Sequence, residues 1–183
     1  MKSRLGFTLA ETLLAVLILL LVSTVVATGI PAVKNAYEKV VLASNAEVLL
    51  STTISALRNE LGTAQNVKKI DAETGEEENS AISYYCATRG ATSKLFVASG
   101  GDNDKKIMLQ RYYSADGIGE NVAAAPLISS KTATGDLYVT YNSVVYNQGI
   151  VTFNGLKVNR ESGADGLTSR NTLSIRVISD QND

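Results

Sequence analysis

Histidine and tryptophan are missing from this chain of 183 residues, and cysteine occurs once, at Cys86. Without histidine, the Ser-His-Asp and Cys-His nucleophilic arrangements cannot be assembled, and the common histidine-containing zinc sites are excluded with them. One cysteine cannot close a disulfide within the chain. Cys86 lies in the run Ile82-Ser83-Tyr84-Tyr85-Cys86-Ala87, where it reads as a small buried hydrophobe on a strand. No P-loop or dinucleotide fingerprint is present. These absences argue against a conventional enzyme, and neither a metal nor a cofactor is expected. An excess of one charge is also lacking: 17 basic and 18 acidic residues leave a net charge of -1. A nucleic-acid-binding domain normally carries a basic footprint, so this balance predicts no nucleic-acid partner.

What the chain does have is concentrated at its start. Met1-Lys2-Ser3-Arg4-Leu5-Gly6 is a short basic leader, followed by Phe7-Thr8-Leu9-Ala10-Glu11 and then by residues 12–33 without a single charge. An acid at the edge of a membrane span is costly, so Glu11 calls for a cationic partner. Cutting between Gly6 and Phe7 would create one, the amino group of a new N-terminus. On the N-terminal side of the span the basic residues are those of the leader, Lys2 and Arg4, and they predict orientation, with the leader in the cytoplasm and the C-terminal part outside. Loss of Lys2 and Arg4 would leave 15 basic residues against 18 acidic ones, a net charge of -3.

This order of basic leader, Gly6, Phe7, a three-residue gap, Glu11 and an apolar run resembles the class III signal of type IV prepilins and pseudopilins. The resemblance implies cleavage after Gly6 by a prepilin peptidase and N-methylation of Phe7. It implies that Glu11 meets the N-terminal amine of a neighbouring subunit during filament assembly. The implied partners are other pilin or pseudopilin subunits, the peptidase and an assembly platform in the bacterial cytoplasmic membrane. The implied locations are that membrane first and a cell-surface or periplasmic filament later.

Other readings of the same segment are open. A secretory signal peptide also has a basic region and an apolar region, and Ala27-Thr28-Gly29 offers a small-x-small site, but Glu11 is out of place there. A plain signal anchor explains the length and leaves Glu11 unexplained. A lipoprotein is excluded because the only cysteine is Cys86.

Beyond residue 33 the run becomes amphipathic. Val33, Tyr37 and Val40 form one stripe, and Leu50, Ile54, Leu57, Leu61 and Ala64 continue with alternating spacings of four and three. The spacing predicts one helix from Thr8 to about Gln65, roughly 85–90 Å long at 1.5 Å per residue. Its second half would pack against a C-terminal sheet. Gly29 and Pro31 interrupt the pattern: proline takes the hydrogen-bond donor from Ala27, and a kink or a locally weak turn is expected. Within the stripe, Leu57-Arg58-Asn59-Glu60-Leu61, closing on Ala64, is similar to minor pilins of the W type and minor pseudopilins of the J type.

The remainder reads as strands. Residues 81–88, 94–98, 107–113, 137–141, 144–146, 150–153 and 173–178 are β-rich and separated by turn residues. Gly75-Glu76-Glu77-Glu78-Asn79-Ser80 reads as a solvated loop. Asn147-Gln148-Gly149 reads as a turn, and Asn154-Gly155 as a hairpin between residues 150–153 and 156–158. Asp102-Asn103-Asp104 is rich in oxygen, but Lys105-Lys106 would oppose a calcium ion. The eight tyrosines suit strand positions with ring buried and hydroxyl wet. The expected organisation is a leader (residues 1–6), a membrane or filament-core half-helix (7–33), an amphipathic half-helix (34–65) and a β-rich extracytoplasmic domain (66–183). That is an α+β, pilin-like layout, a long helix on an antiparallel sheet.

Overall fold

The computed structural model describes residues 8–69, 81–101, 104–112, 122–129, 136–161 and 166–178. The leader, Phe7, the Glu76-Glu77-Glu78 loop and Asp102-Asn103 lie outside them. The layout is the expected α+β one: one long N-terminal helix, α1 (Leu9–Leu61), and antiparallel sheets. The chain divides into two compact units, Met1–Leu42 and Ala43–Asp183.

In the first unit the described residues are helical from Leu9 onward. Leucine and alanine dominate here, and both sit at the favourable end of helix propensity. Gly29 and Pro31 do not break the helix, which continues through both positions. Val33, Tyr37 and Val40 are exposed at 70%, 69% and 68%.

In the second unit the last turns of α1 bury Ala46, Leu49, Leu50, Thr53, Leu57, Glu60 and Leu61. Those spacings of three, four and seven define one helical face. Burial therefore begins at Ala46, not at residue 34, and Ile54 sits half-buried at the margin of the face. The periodicity of Val33, Tyr37 and Val40 reveals a stripe without revealing what covers it.

The helix also ends at Leu61, short of Gln65. The Gly62 amide donates to Arg58 O at 2.8 Å, and a Cβ at Gly62 would stand 2.7 Å from that same oxygen. Glycine is the residue that closes the helix there without a clash. Ala64 is buried as expected, but as the first residue of a strand.

That strand, β1 (Ala64–Lys69), was hidden in a polar stretch. It opens a five-stranded antiparallel meander, sheet A, with β2 (Ile82–Cys86), β3 (Ala91–Val97), β4 (Ile107–Tyr112) and the short β5 (Ala125–Pro126) in chain order. Pro126 on the edge withholds a backbone donor and blunts further pairing.

Sheet B is built around β8 (Ile150–Arg160). On one side β8 pairs with β6 (Leu137–Thr140) and β7 (Ser143–Asn147), and on the other with β9 (Thr168–Arg176). The hairpin expected at Asn154-Gly155 does not exist, because β8 runs straight through both residues. The turn lies between β7 and β8, where Gln148 (φ 46) and Gly149 (φ 76) both adopt the left-handed conformation. Two consecutive positive φ values are what a two-residue hairpin turn of the primed type requires.

Asn154-Gly155 resets the alternation of β8 instead. Val151 and Phe153 are buried before it, Leu156 and Val158 after it, so the interval from Phe153 to Leu156 is three rather than two. Gly155 has φ 67, and a Cβ there would collide with Asn142 Nδ2 at the bend between β6 and β7. Asn142 N–H donates to Asn154 O at 2.9 Å. The reset lets Tyr141 meet Phe153 edge-to-face, with ring centroids 5.1 Å apart.

Candidate functional site

From Leu9 to Ile30 every large apolar side chain is between 49% and 83% exposed. These residues point all round the helix and leave no polar side, the pattern of a helix that another apolar medium must surround. The stretch reaches about 33 Å at 1.5 Å per residue, against roughly 30 Å for the hydrocarbon of a bilayer. By length and composition α1 can cross a membrane.

Its hydroxyls are already provided for. Thr12 donates to Leu9 O (2.8 Å), Ser23 to Leu19 O (2.7 Å), Thr24 to Leu21 O (2.7 Å) and Thr28 to Thr24 O (3.0 Å). A side chain that returns its proton to its own helix carries no unpaired donor into lipid. At Pro31 the missing N–H leaves Ala27 O without its usual helical donor. Around Gly29 there is open space where a Cβ would stand.

Glu11 sits in the first turn and is tied to Thr8. The Thr8 amide donates to Glu11 Oε2 at 2.8 Å and the Thr8 hydroxyl to the same oxygen at 3.0 Å. In return, Glu11 N–H donates to Thr8 Oγ1 at 3.4 Å. This is a capping box, two amides at the helix start satisfied reciprocally, with a carboxylate at the positive end of the helix dipole. Its sequence signature, Thr8-x-x-Glu11, is legible in the chain and gives Glu11 a partner that the charge-pair reading overlooked. Gly6 and Phe7, the two residues of the expected scissile bond, lie outside the described residues.

A second acid occupies the other end of α1. Glu60 is buried and faces strands β2 and β4. Arg111 Nη2 lies 3.1 Å from Glu60 Oε2, Arg89 Nε lies 3.7 Å from it, and Tyr84 OH donates to Oε1 at 3.3 Å. Burial, and then the adjacent Glu60 carboxylate, push the Tyr84 phenol well above its usual value. Tyr84 thus keeps its proton and holds Glu60 as a donor, so its hydroxyl is buried rather than wet. Glu60 pins the end of the helix to the middle of sheet A. In the sequence this acid stands within the run Leu57-Arg58-Asn59-Glu60-Leu61, and its place between the buried Leu57 and Leu61 is the signal that marks it.

Cys86 is buried and free on β2, its sulfur 3.2 Å from Thr88 Oγ1. Asp104 Oδ1 accepts from the Gly100 amide at 2.7 Å, and Lys106 pairs with Glu161 at 2.8 Å. Among the described residues no group of three potential ligands is placed to hold a metal ion.

Comparison with family models, with curated proteins and with solved structures found no match to this chain.

Proposed function

We propose that this chain is a structural subunit of a type IV pilus or a type II secretion-like pseudopilus, in a minor position. It is cut after Gly6 by a prepilin peptidase, methylated on the Phe7 amine and drawn into a filament through α1. The observation that carries this reading is the exposed, uniformly apolar stretch from Leu9 to Ile30 that opens with Glu11. A helix leaving lipid for a bundle of like helices gains little hydrophobic free energy, since lipid tails are as apolar as leucine. Packing and polar contacts must then direct assembly, and Glu11 is the one charge available in that stretch. Its carboxylate exchanges the Thr8 donors for the amine of a neighbouring subunit.

The capping box favours a second reading, a membrane-anchored extracytoplasmic domain that never polymerises, in which Glu11 merely starts the helix. Glu11→Gln separates the two, because glutamine also serves in a capping box whereas it cannot neutralise an amine. The filament reading expects Glu11→Gln and Glu11→Ala to stay in the membrane fraction and to be absent from sheared filaments. Normal incorporation of Glu11→Gln would remove the charge pair from the account.

A further inference from the structure

Sheet A has one face on α1 and another that the assembly reading leaves without a task. Antiparallel pairing sets Tyr85, Thr92 and Tyr112 in one rung, and Lys68, Ser83 and Lys94 in the next. Residues paired directly across strands share a face. The alternate positions Ile82, Tyr84, Ser93 and Leu95 are buried, so both rungs lie on the side away from that core. The strands of sheet A carry Lys68, Lys69, Lys94 and Arg111 and no acidic residue. Arg111 is engaged by Glu60 on the inner side.

The outer rungs alternate ring, hydroxyl, ring and cation, hydroxyl, cation. The two tyrosines stand two strand spacings apart, about 9.5 Å, and the cation rung runs parallel about 7 Å away. Two of these groups are held in place. Tyr112 OH donates to Gln110 Oε1 at 2.9 Å, and Lys94 Nζ rests 5.0 Å from the ring centroid of Phe96. Tyr85 is 38% exposed.

We propose that this face binds single-stranded nucleic acid, with bases stacked on Tyr85 and Tyr112 and phosphates along Lys68 and Lys94. A strand that offers a flat π-face and an anion in every unit uses both rungs, whereas an acidic glycan offers the anion without the π-face. Stacking of this kind tolerates any base. The net charge of -1 conceals the site, because it sums over the whole chain whereas the described strands of sheet A carry cations and no acid. Two cations support modest affinity, about micromolar and salt-sensitive. The site is independent of the filament reading, since α1 contributes none of these side chains.

The test uses the full chain in detergent, with fluorescence anisotropy of labelled oligothymidylate at about 50 mM and about 200 mM salt. Saturable binding that weakens with salt is expected. Tyr85→Ala should lose about fivefold or more, the least expected when one stacked base is lost, while Tyr85→Phe binds as the parent does. Lys94→Gln should flatten the salt dependence by about one unit of slope. Arg176→Gln, on β9 of the other sheet, should change nothing. The proposal is overturned by no binding at the lower salt, by Tyr85→Ala binding like the parent with unchanged circular dichroism, or by alginate binding where oligothymidylate does not.

Discussion

Two stretches of the same helix, residues 9–30 and 46–61, meet their surroundings in opposite ways. Both are rich in leucine and both contain one acid that matters. In the first, every large apolar side chain is exposed and the acid, Glu11, is held by the backbone and hydroxyl of Thr8. In the second, a single face is buried and the acid, Glu60, lies beneath it between two guanidinium groups and a phenol. The contrast teaches that helix propensity does not separate the two stretches. What separates them is the distribution of polar side chains around the cylinder, which in the second stretch leaves one side for the sheets and in the first leaves none for water.

The sharpest way to probe that contrast is to remove a partner of the buried acid. Arg111→Met strands Glu60 without its closest cation, and a loss of about 3–5 kcal/mol in unfolding free energy is expected from denaturant titration. Replacing both, Glu60→Leu with Arg111→Met, should cost less than Arg111→Met alone, because no unpaired charge remains buried. A double variant less stable than the single one would mean the cluster holds the helix by more than charge matching.

Next in size is a matched pair of truncations in α1. Leu57 is fully buried, and Leu57→Ala should cost about 2–5 kcal/mol. Leu17, exposed at 49%, should leave the thermal unfolding of the β-rich unit unmoved when changed to alanine. Equal shifts for the two would erase the distinction between the stretches.

A smaller effect tests sheet B. Gly155→Ala places a side chain at positive φ and against Asn142, and a loss of about 2 kcal/mol is expected in the same titration. Were residue 155 in an ordinary hairpin turn open to solvent, the cost would be limited to the backbone conformation.

How far these features were legible differs by element. The long helix follows directly from an uncharged run and the stripe after it, and the capping box is written as Thr8-x-x-Glu11. The face change at Ala46 is not legible, since apolar residues recur at helical spacing on both sides of it. Glu60 was legible in position, since its spacing from Leu57 puts it on the buried stripe, but not in its partners, because Tyr84, Arg89 and Arg111 reach it from residues 24 to 51 positions further along the chain. Strand β1 has too few apolar residues to alternate. At Asn154-Gly155 the local turn preference was real, but pairing on both sides of β8 made it a reset of alternation rather than a reversal. Gln148-Gly149 shows the converse: glutamine is an unusual residue at positive φ, and the tight connection between two paired strands holds it there.

The account turns on whether Glu11 acquires its second partner, which exists only once the bond between Gly6 and Phe7 is cut. Intact mass of the protein recovered from its native cells and their medium tests this most directly. The account predicts loss of the first six residues and gain of one methyl group on Phe7. An uncut chain, or an N-terminus near Ile30, would contradict it.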